Sequence, residues 1–437
     1  MQSVDVPVAL LGYGTVGAAV HRLLSEQGDE IERATGHRLR VVRALVRDPA
    51  RERAFDAGPG VLTTEIGDVL DDPSIRLVAE VMGGVEPAGD HVLRLLRSGR
   101  SVVTANKQLV ARHGAELFEA AAAAGAQLRF EASVCAAIPV IKVLRESLVV
   151  TNVHRVLGIV NGTTNFILSA MSEGRSYADA LTEAQRLGYA EADPTDDVAG
   201  LDAAAKMAIL ATVAFGCRVP LSWVEVEGIE GVREEHVEAA RQLDMRVKLL
   251  GRATFAHGRV DVRVGPAFVD AHHPLAAVDG AFNAVMLQGD AIREITLEGP
   301  GAGGIETASA VIADLVDVAR MLTADPHHRV PHLAFQPDQL SSDPILPMRE
   351  VETAYYLRMH VLDQPGVLAD ITRIMADHTI SIDAMLQKEP AEGEDQTDII
   401  LLTHLTREMN VDDAITKIEA LPTVKGKIVR LRLEDLS

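Results

Sequence analysis

Val4-Asp5-Val6-Pro7-Val8-Ala9-Leu10-Leu11-Gly12-Tyr13-Gly14-Thr15-Val16-Gly17 is the stretch on which the fold turns. A short apolar run followed at once by glycines reads as a buried parallel strand entering a tight turn. The first glycine permits the turn, the second lets the backbone approach a pyrophosphate, and the third lets the next helix pack closely on the strand. The first amides of that helix, with the positive end of its dipole behind them, then face phosphates. Gly12, Tyr13, Gly14, Thr15, Val16 and Gly17 are therefore candidate dinucleotide-binding residues. A glycine turn serving packing alone is the alternative, and the flanking strand and helix favour the dinucleotide.

Outward from this turn, helical spacing over 18–27, strands over 39–46, 77–81 and Ser101–Thr104, and an alanine-rich helix over 116–124 predict a Rossmann-type, doubly wound α/β domain over 1–138. The pattern then changes. A helix over 140–148, a strand over 156–160, helices over 166–172, Tyr177–Leu187 and 200–215, and strands over 260–264 and 284–288 predict an α+β catalytic and dimerisation domain over 139–304. A helix over 305–321 follows, with Ile305, Ala308, Ile312, Leu315 and Ala319 on one face, and is expected to return and complete the first domain. The proline-rich stretch 322–350 reads as a linker. Residues 351–437 read strand, helix, strand, strand, helix, strand, a split βαβ (βαββαβ) domain.

The bulk numbers agree with several domains. A chain of 437 residues exceeds one ordinary core. With 47% hydrophobic and 24% charged residues it has a globular composition. A formal net charge of -21 opposes phosphate backbones and anionic lipids, so no nucleic-acid or membrane partner is expected. Its apolar runs fall short of the roughly 18 residues a membrane helix needs. Residues 1–6 lack a basic run, and two cysteines, Cys135 and Cys217, form no disulfide framework, so a cytoplasmic setting is expected.

Four polar features carry chemistry. Arg47 lies at the expected end of the second strand, where an arginine neutralises a 2′-phosphate and favours NADP over NAD; a solvated strand-end charge is the alternative. Lys107, in Thr104-Ala105-Asn106-Lys107, follows a strand at the edge of the sheet where ligands sit. A surface lysine at a helix start would be opposed by the dipole, which tilts the reading towards function. Between Glu191 and Asp197 lie four carboxylates, whose default reading is caps and solvated charges. Asp202 and Lys206 stand four apart in an otherwise apolar helix, so they share a face. Partial burial there would lower the lysine pKa and let it move a proton near neutral pH.

At these residues the chain resembles homoserine dehydrogenase, in its single-function form with a C-terminal ACT domain. The matching stretches are 12–17, 104–107, Glu131-Ala132-Ser133-Val134, 158–165, 188–206 and 299–303, and the tail matches through Asp363-Gln364-Pro365-Gly366-Val367-Leu368. The resemblance implies interconversion of aspartate 4-semialdehyde and homoserine with NADP or NAD. It implies that Lys206 and Lys107 serve the reacting oxygen, that Glu191, Asp202 and Gly188 hold the substrate, and that Thr104, Lys107 and Gly303 join the cofactor site. It further implies a monovalent cation such as Na+ at Glu131 and the carbonyls of Val134, Ala136 and Ile138. Here the chain departs from the family, with Val134-Cys135-Ala136-Ala137-Ile138-Pro139 where glycines are usual. Threonine would act as effector near Asp363, Gly366, Val367 and Leu368, and a homodimer or homotetramer is implied. Two rivals stand beside this reading. One is a phosphate-dependent semialdehyde dehydrogenase using Cys135 as nucleophile, for which no partner histidine lies nearby in sequence. The other is a non-catalytic amino-acid sensor.

Overall fold

The computed structural model describes residues 4–322, 332–333, 345–387 and 395–433. Most of the stretch read as a linker therefore lies outside the described residues, as do the ends of the chain at 1–3 and 434–437. Six parallel strands build the first sheet, in the order Leu62–Thr63, His37–Leu45, Val4–Leu11, Leu77–Glu80, Ser101–Thr104, Leu128–Arg129. Strand order reverses beside Val4–Leu11, so the Gly12 turn opens at the switch point where such sheets bind ligands. Alternate residues of that strand feed two cores. Val8 and Leu10 pack with Val20, Leu24 and Leu315, whereas Ala9 and Leu11 pack with Leu95, Leu96 and Leu117. Burial on both faces is the reason this strand is apolar almost throughout.

The helix Thr15–Glu26 approaches the strand through Gly17, where an added Cβ would lie 2.3 Å from the Gly12 carbonyl oxygen. Gly12 itself has φ +101°. The helix Gly304–Met321 packs against Thr15–Glu26 and on the same face of the sheet. Its buried face runs through Ala308, Val311, Leu315, Val318 and Ala319, with Ile312 partly buried against the same core, whereas Ile305 is 51% exposed. The first domain also holds the helix Ala88–Arg97, which the sequence reading passed over, and a longer alanine-rich helix, Lys107–Ala123. The latter begins earlier than expected because the Asn106 side chain accepts the Leu109 amide at 3.1 Å and caps it.

In the second domain the helices Gly162–Ser172 and Leu201–Phe215 lie on an antiparallel sheet. The strands run Arg293–Pro300, Phe282–Gly289, Val153–Ile159, Met245–Ala256, Arg259–Asp270. Met245–Ala256, Arg293–Pro300 and the helix Glu234–Gln242 were not anticipated. Gly251 lets the Leu201–Phe215 helix touch the sheet; a Cβ there would meet the Met207 sulfur at 2.6 Å.

The C-terminal domain has the expected split βαβ order: Glu352–Leu362, Val367–Asp377, Ile382–Gln387, Gln396–Thr403, Glu408–Glu419, Val424–Leu433. Its last strand pairs in parallel with Arg259–Asp270 of the second domain, setting Ala267 against Arg432 and Phe268 against Leu433. The two domains thus share one continuous sheet, and the rings of Phe268 and Tyr356 pack across the junction at 5.0 Å. Among the described residues, no helix is long and apolar enough to cross a membrane. Because Gly17 carries no room for a side chain, Gly17→Ala should destabilise the chain by about 2 kcal/mol or more, read as a lowered melting temperature by circular dichroism. An unchanged melting temperature would show that the turn yields freely.

Candidate active site

The Leu201–Phe215 helix starts at Gly200, whose φ of +79° reverses the chain after the acidic loop. It brings Asp202 and Lys206 inward, and both are buried. An acidic residue in the first turn also suits the helix dipole. Lys206 Nζ lies 2.8 Å from Asp202 Oδ2 and donates to the Val160 carbonyl at 2.6 Å. Lys107, from the first residue of its own helix, reaches Asp202 Oδ1 at 2.8 Å. One buried carboxylate therefore holds two ammonium groups, one from each of the first two domains. They differ in access: the Lys107 side chain is 39% exposed and that of Lys206 9%.

The electrostatics correct one expectation. Burial alone would lower the Lys206 pKa, but the Asp202 carboxylate outweighs it and the ammonium is held above the usual lysine value. Lys206 is thus a charged acid at neutral pH, not a neutral base. Burial likewise pushes the Asp202 carboxyl up, but Lys206 and Lys107 hold it well below the usual range.

A second layer fixes these groups. Asn161 caps the Gly162–Ser172 helix through Thr164 and donates from Nδ2 to Asp202 at 2.9 Å and Asp197 at 2.7 Å. Thr163 donates to the Tyr189 carbonyl at 2.6 Å and approaches Asp197 at 3.0 Å. Burial pushes the Asp197 carboxyl up. Of the acidic run, then, Asp197 joins the cluster, whereas Asp193 caps its own loop at Thr195. Glu191 is exposed on that loop and makes no ion pair with either lysine. Gly188 ends the Tyr177–Leu187 helix with φ +79°. Sequence reasoning missed the roles of Asn161 and Asn106; asparagine just before a helix was the available signal.

A cleft of about 1430 Å³ opens at the Gly12 turn, lined by Gly12, Gly14, Arg47, Arg51, Gly83 and Gly304, among others; Asn106, the residue before Lys107, donates from Nδ2 to the Gly84 carbonyl at 2.6 Å, next in sequence to that lining. Space opens beyond Gly14, where an added Cβ would meet nothing within 4 Å, and no side chain caps the helix that follows. Tyr13 and Thr15 also line the cleft, but the Tyr13 hydroxyl turns to His21 Nδ1 at 2.7 Å. Val16 and Gly17 pack beneath the turn rather than on its surface. Thr104 is not on the wall either. It is fully buried and donates its hydroxyl to Glu80, whose other oxygen accepts the Met82 amide at 2.8 Å. Glu80 was not singled out from sequence, since a carboxylate closing an apolar strand carries no spacing signal. Gly303 caps the helix Gly304–Met321 with φ +134°, and a Cβ there would strike the Glu306 side chain.

The loop expected to hold a cation is built from strained backbone. Cys135 and Ala136 have φ 55° and 43°, so they adopt the left-handed form despite their Cβ atoms, at a cost of about 1–2 kcal/mol each. The Glu131 carboxylate is buried and accepts the Ile141 and Lys142 amides at 2.8 and 2.7 Å; burial, with Asp314 adding to it, pushes its pKa up to about 8. Val134, Ala136 and Ile138 are buried beside it, and the Ile138 carbonyl already accepts the Val140 amide at 2.8 Å. Cys135 is 1% exposed, and burial pushes its thiol pKa up, which leaves the rival thiol chemistry without a thiolate.

Comparison with known proteins agrees with this architecture. Three family models match: the homoserine dehydrogenase NAD-binding domain over residues 12–131, homoserine dehydrogenase over 139–316, and the ACT domain over 355–423. A homoserine dehydrogenase of Pseudomonas aeruginosa is 45% identical, with 99% of each chain covered. The crystal structure of a homoserine dehydrogenase from Thiobacillus denitrificans is 52% identical with a TM-score of 0.95, and both chains are covered completely. A hyperthermophilic archaeal homoserine dehydrogenase solved in complex with NADPH is 29% identical with a TM-score of 0.61, over 73% of this chain and 99% of that one.

Asp202→Asn tests the electrostatics of the cluster. Removing one partner from a buried ion pair should cost about 3–5 kcal/mol at neutral pH. Because the folded-state pKa of Asp202 is depressed, its stabilisation is present above the unfolded value of about 4 and is lost as pH falls below it. Urea unfolding followed from pH 6 to pH 3 should therefore decline more steeply in the parent than in the variant. Equal slopes would contradict the charge assignment.

Proposed function

The chain belongs to the homoserine dehydrogenase family, and on that premise we propose how its residues divide the work. It is an oxidoreductase acting on homoserine, and its first domain binds a nicotinamide cofactor. We assign Gly12, Gly14 and the amides opening the Thr15–Glu26 helix to the pyrophosphate, and Arg47, with Arg51 at the same rim, to a 2′-phosphate. The open space at Gly14 and the arginines of the cleft support NADP as the preferred form. Bound, the cofactor supplies a hydride to the aldehyde carbon of aspartate 4-semialdehyde.

The rest is the work of side chains. Lys206, charged because Asp202 keeps it so, donates a proton to the substrate oxygen as negative charge develops there. Lys107, nearer to solvent, stabilises the same oxygen. Asp202 orients both ammonium groups and, with Glu191 and the Gly188 backbone, receives the amino end of the substrate. The meeting of Lys107 and Lys206 on one buried carboxylate is the observation that carries this reading.

Four further assignments follow the same reading. A monovalent cation sits with Glu131 and the carbonyls of Val134, Ala136 and Ile138, a role supported by the burial of the Glu131 side chain near the left-handed turn at Cys135 and Ala136. Threonine is the effector, at the turn of Asp363, Gly366, Val367 and Leu368, and the enzyme works as a homodimer or homotetramer. The chain divides into 1–138 with the helix 305–321, 139–304, a linker over 322–350, and 351–437. Two buried free cysteines suit a reducing cytoplasm.

One assay series tests the chemistry. Lys206→Met should lower kcat at least about a hundredfold with secondary structure kept, and activity near the parent level would end its assignment as proton donor. Arg47→Ala should raise the KM for NADPH about tenfold and leave that for NADH unchanged, the worth of one charge-assisted contact. Equal effects on both cofactors would remove the 2′-phosphate role. Added threonine in the parent reads the effector directly.

A further inference from the structure

The segment 225–229 is wedged between the C-terminal domain and the acidic loop of the active site. Glu225 and Val226 form a short strand parallel to Arg263 and Val264, and the Glu227 amide donates to the Val264 carbonyl at 2.9 Å. On one side, Glu227 Oε2 lies 3.6 Å from Arg432 Nη1. Arg432 is itself buried and bound to Glu408 at 2.9 Å within the C-terminal domain. On the other side the segment presses on the loop before Asp202. The Ile229 amide donates to the Val198 carbonyl at 2.8 Å. Gly228 comes so close that a Cβ would lie 2.3 Å from that same carbonyl oxygen, and one on Gly200 would meet Val226 at 3.1 Å.

Val198 follows Asp197, whose carboxylate shares Asn161 with Asp202. An unbroken series of contacts therefore runs from Arg432, through Glu227 and the backbone of 228–229, to Asp197 and the Lys206 cluster. We propose that Glu227, which faces Arg432, is a positioning residue that sets the placement of the 194–202 loop and thereby the affinity for homoserine. Through it, the state of the C-terminal domain reaches the site. A second ion pair between the domains, Arg358 to Glu235 at 2.9 Å, ends on the helix Glu234–Gln242, which packs on the strand Met245–Ala256 and the helix Gly162–Ser172.

The proposal rests on the reading that the cluster around Asp202 holds the substrate, and the experiment separates the two. Steady-state kinetics of the full chain with homoserine and NADP would compare Glu227→Gln, Glu227→Asp, Glu235→Gln and Asp197→Asn. Glu227→Gln should raise the KM for homoserine about fivefold, the scale of coupling through packed contacts. The KM for NADP and the melting temperature should stay at parent values, Glu227→Asp should recover part of the affinity, and Glu235→Gln should match the parent. Hydrogen exchange in Glu227→Gln should quicken over 195–202 and stay unchanged over 408–432. An unchanged homoserine KM in Glu227→Gln, beside a raised one in Asp197→Asn, would overturn the coupling alone. An unchanged KM in both would overturn the reading of the site as well. A general fall in stability with every constant worsened would show Glu227 to be a structural brace and nothing more.

Discussion

The site depends on a single buried carboxylate that faces two ammonium groups. Burial opposes charge on both Asp202 and Lys206, and their contact with each other, joined by Lys107, outweighs it. Because Lys107 comes from the first domain and Lys206 from the second, the same charge balance also fixes how those domains meet. Charge pairing and domain placement are consequently linked, and changing either lysine disturbs both.

Around that constraint the fold removes side chains where backbones must touch. Gly17 brings a helix to the first strand, Gly251 brings the helix of Lys206 to its sheet, and Gly228 brings the 225–229 segment to the acidic loop. Each close approach leaves little slack, so the positions of the lysines are inherited from packing that lies well behind them. Conversely, the strain at Cys135 and Ala136 is concentrated in one loop next to the cluster, as is common where function sets the backbone.

Much of this was legible beforehand, for definite reasons. The Gly12–Gly17 turn announced itself because its geometry demands glycine, and the pair Asp202 and Lys206 stood out because charge is rare in so apolar a helix. The strand Met245–Ala256 was hidden because it is buried without a break over 247–251, including Lys248, so no clean alternation marks it. The burial of Thr104 was hidden because its partner, Glu80, lies on a neighbouring strand. The sign of the Lys206 shift was misjudged because burial and a countercharge act oppositely, and only distance decides between them. The outward tilt of Ile305 had no sequence signal: it lines the cleft at the Gly12 turn rather than the core.

The parallel pairing of Arg259–Asp270 with Val424–Leu433 has a consequence for how the chain can be dissected. The C-terminal module is not a detachable appendage. A chain ended before the C-terminal module would bare a hydrogen-bonding edge at Ala267 and Phe268, together with the aromatic face that Tyr356 now covers. Such an edge invites self-association, so inactivity or aggregation in a truncated protein would speak to lost sheet continuity before it spoke to lost regulation.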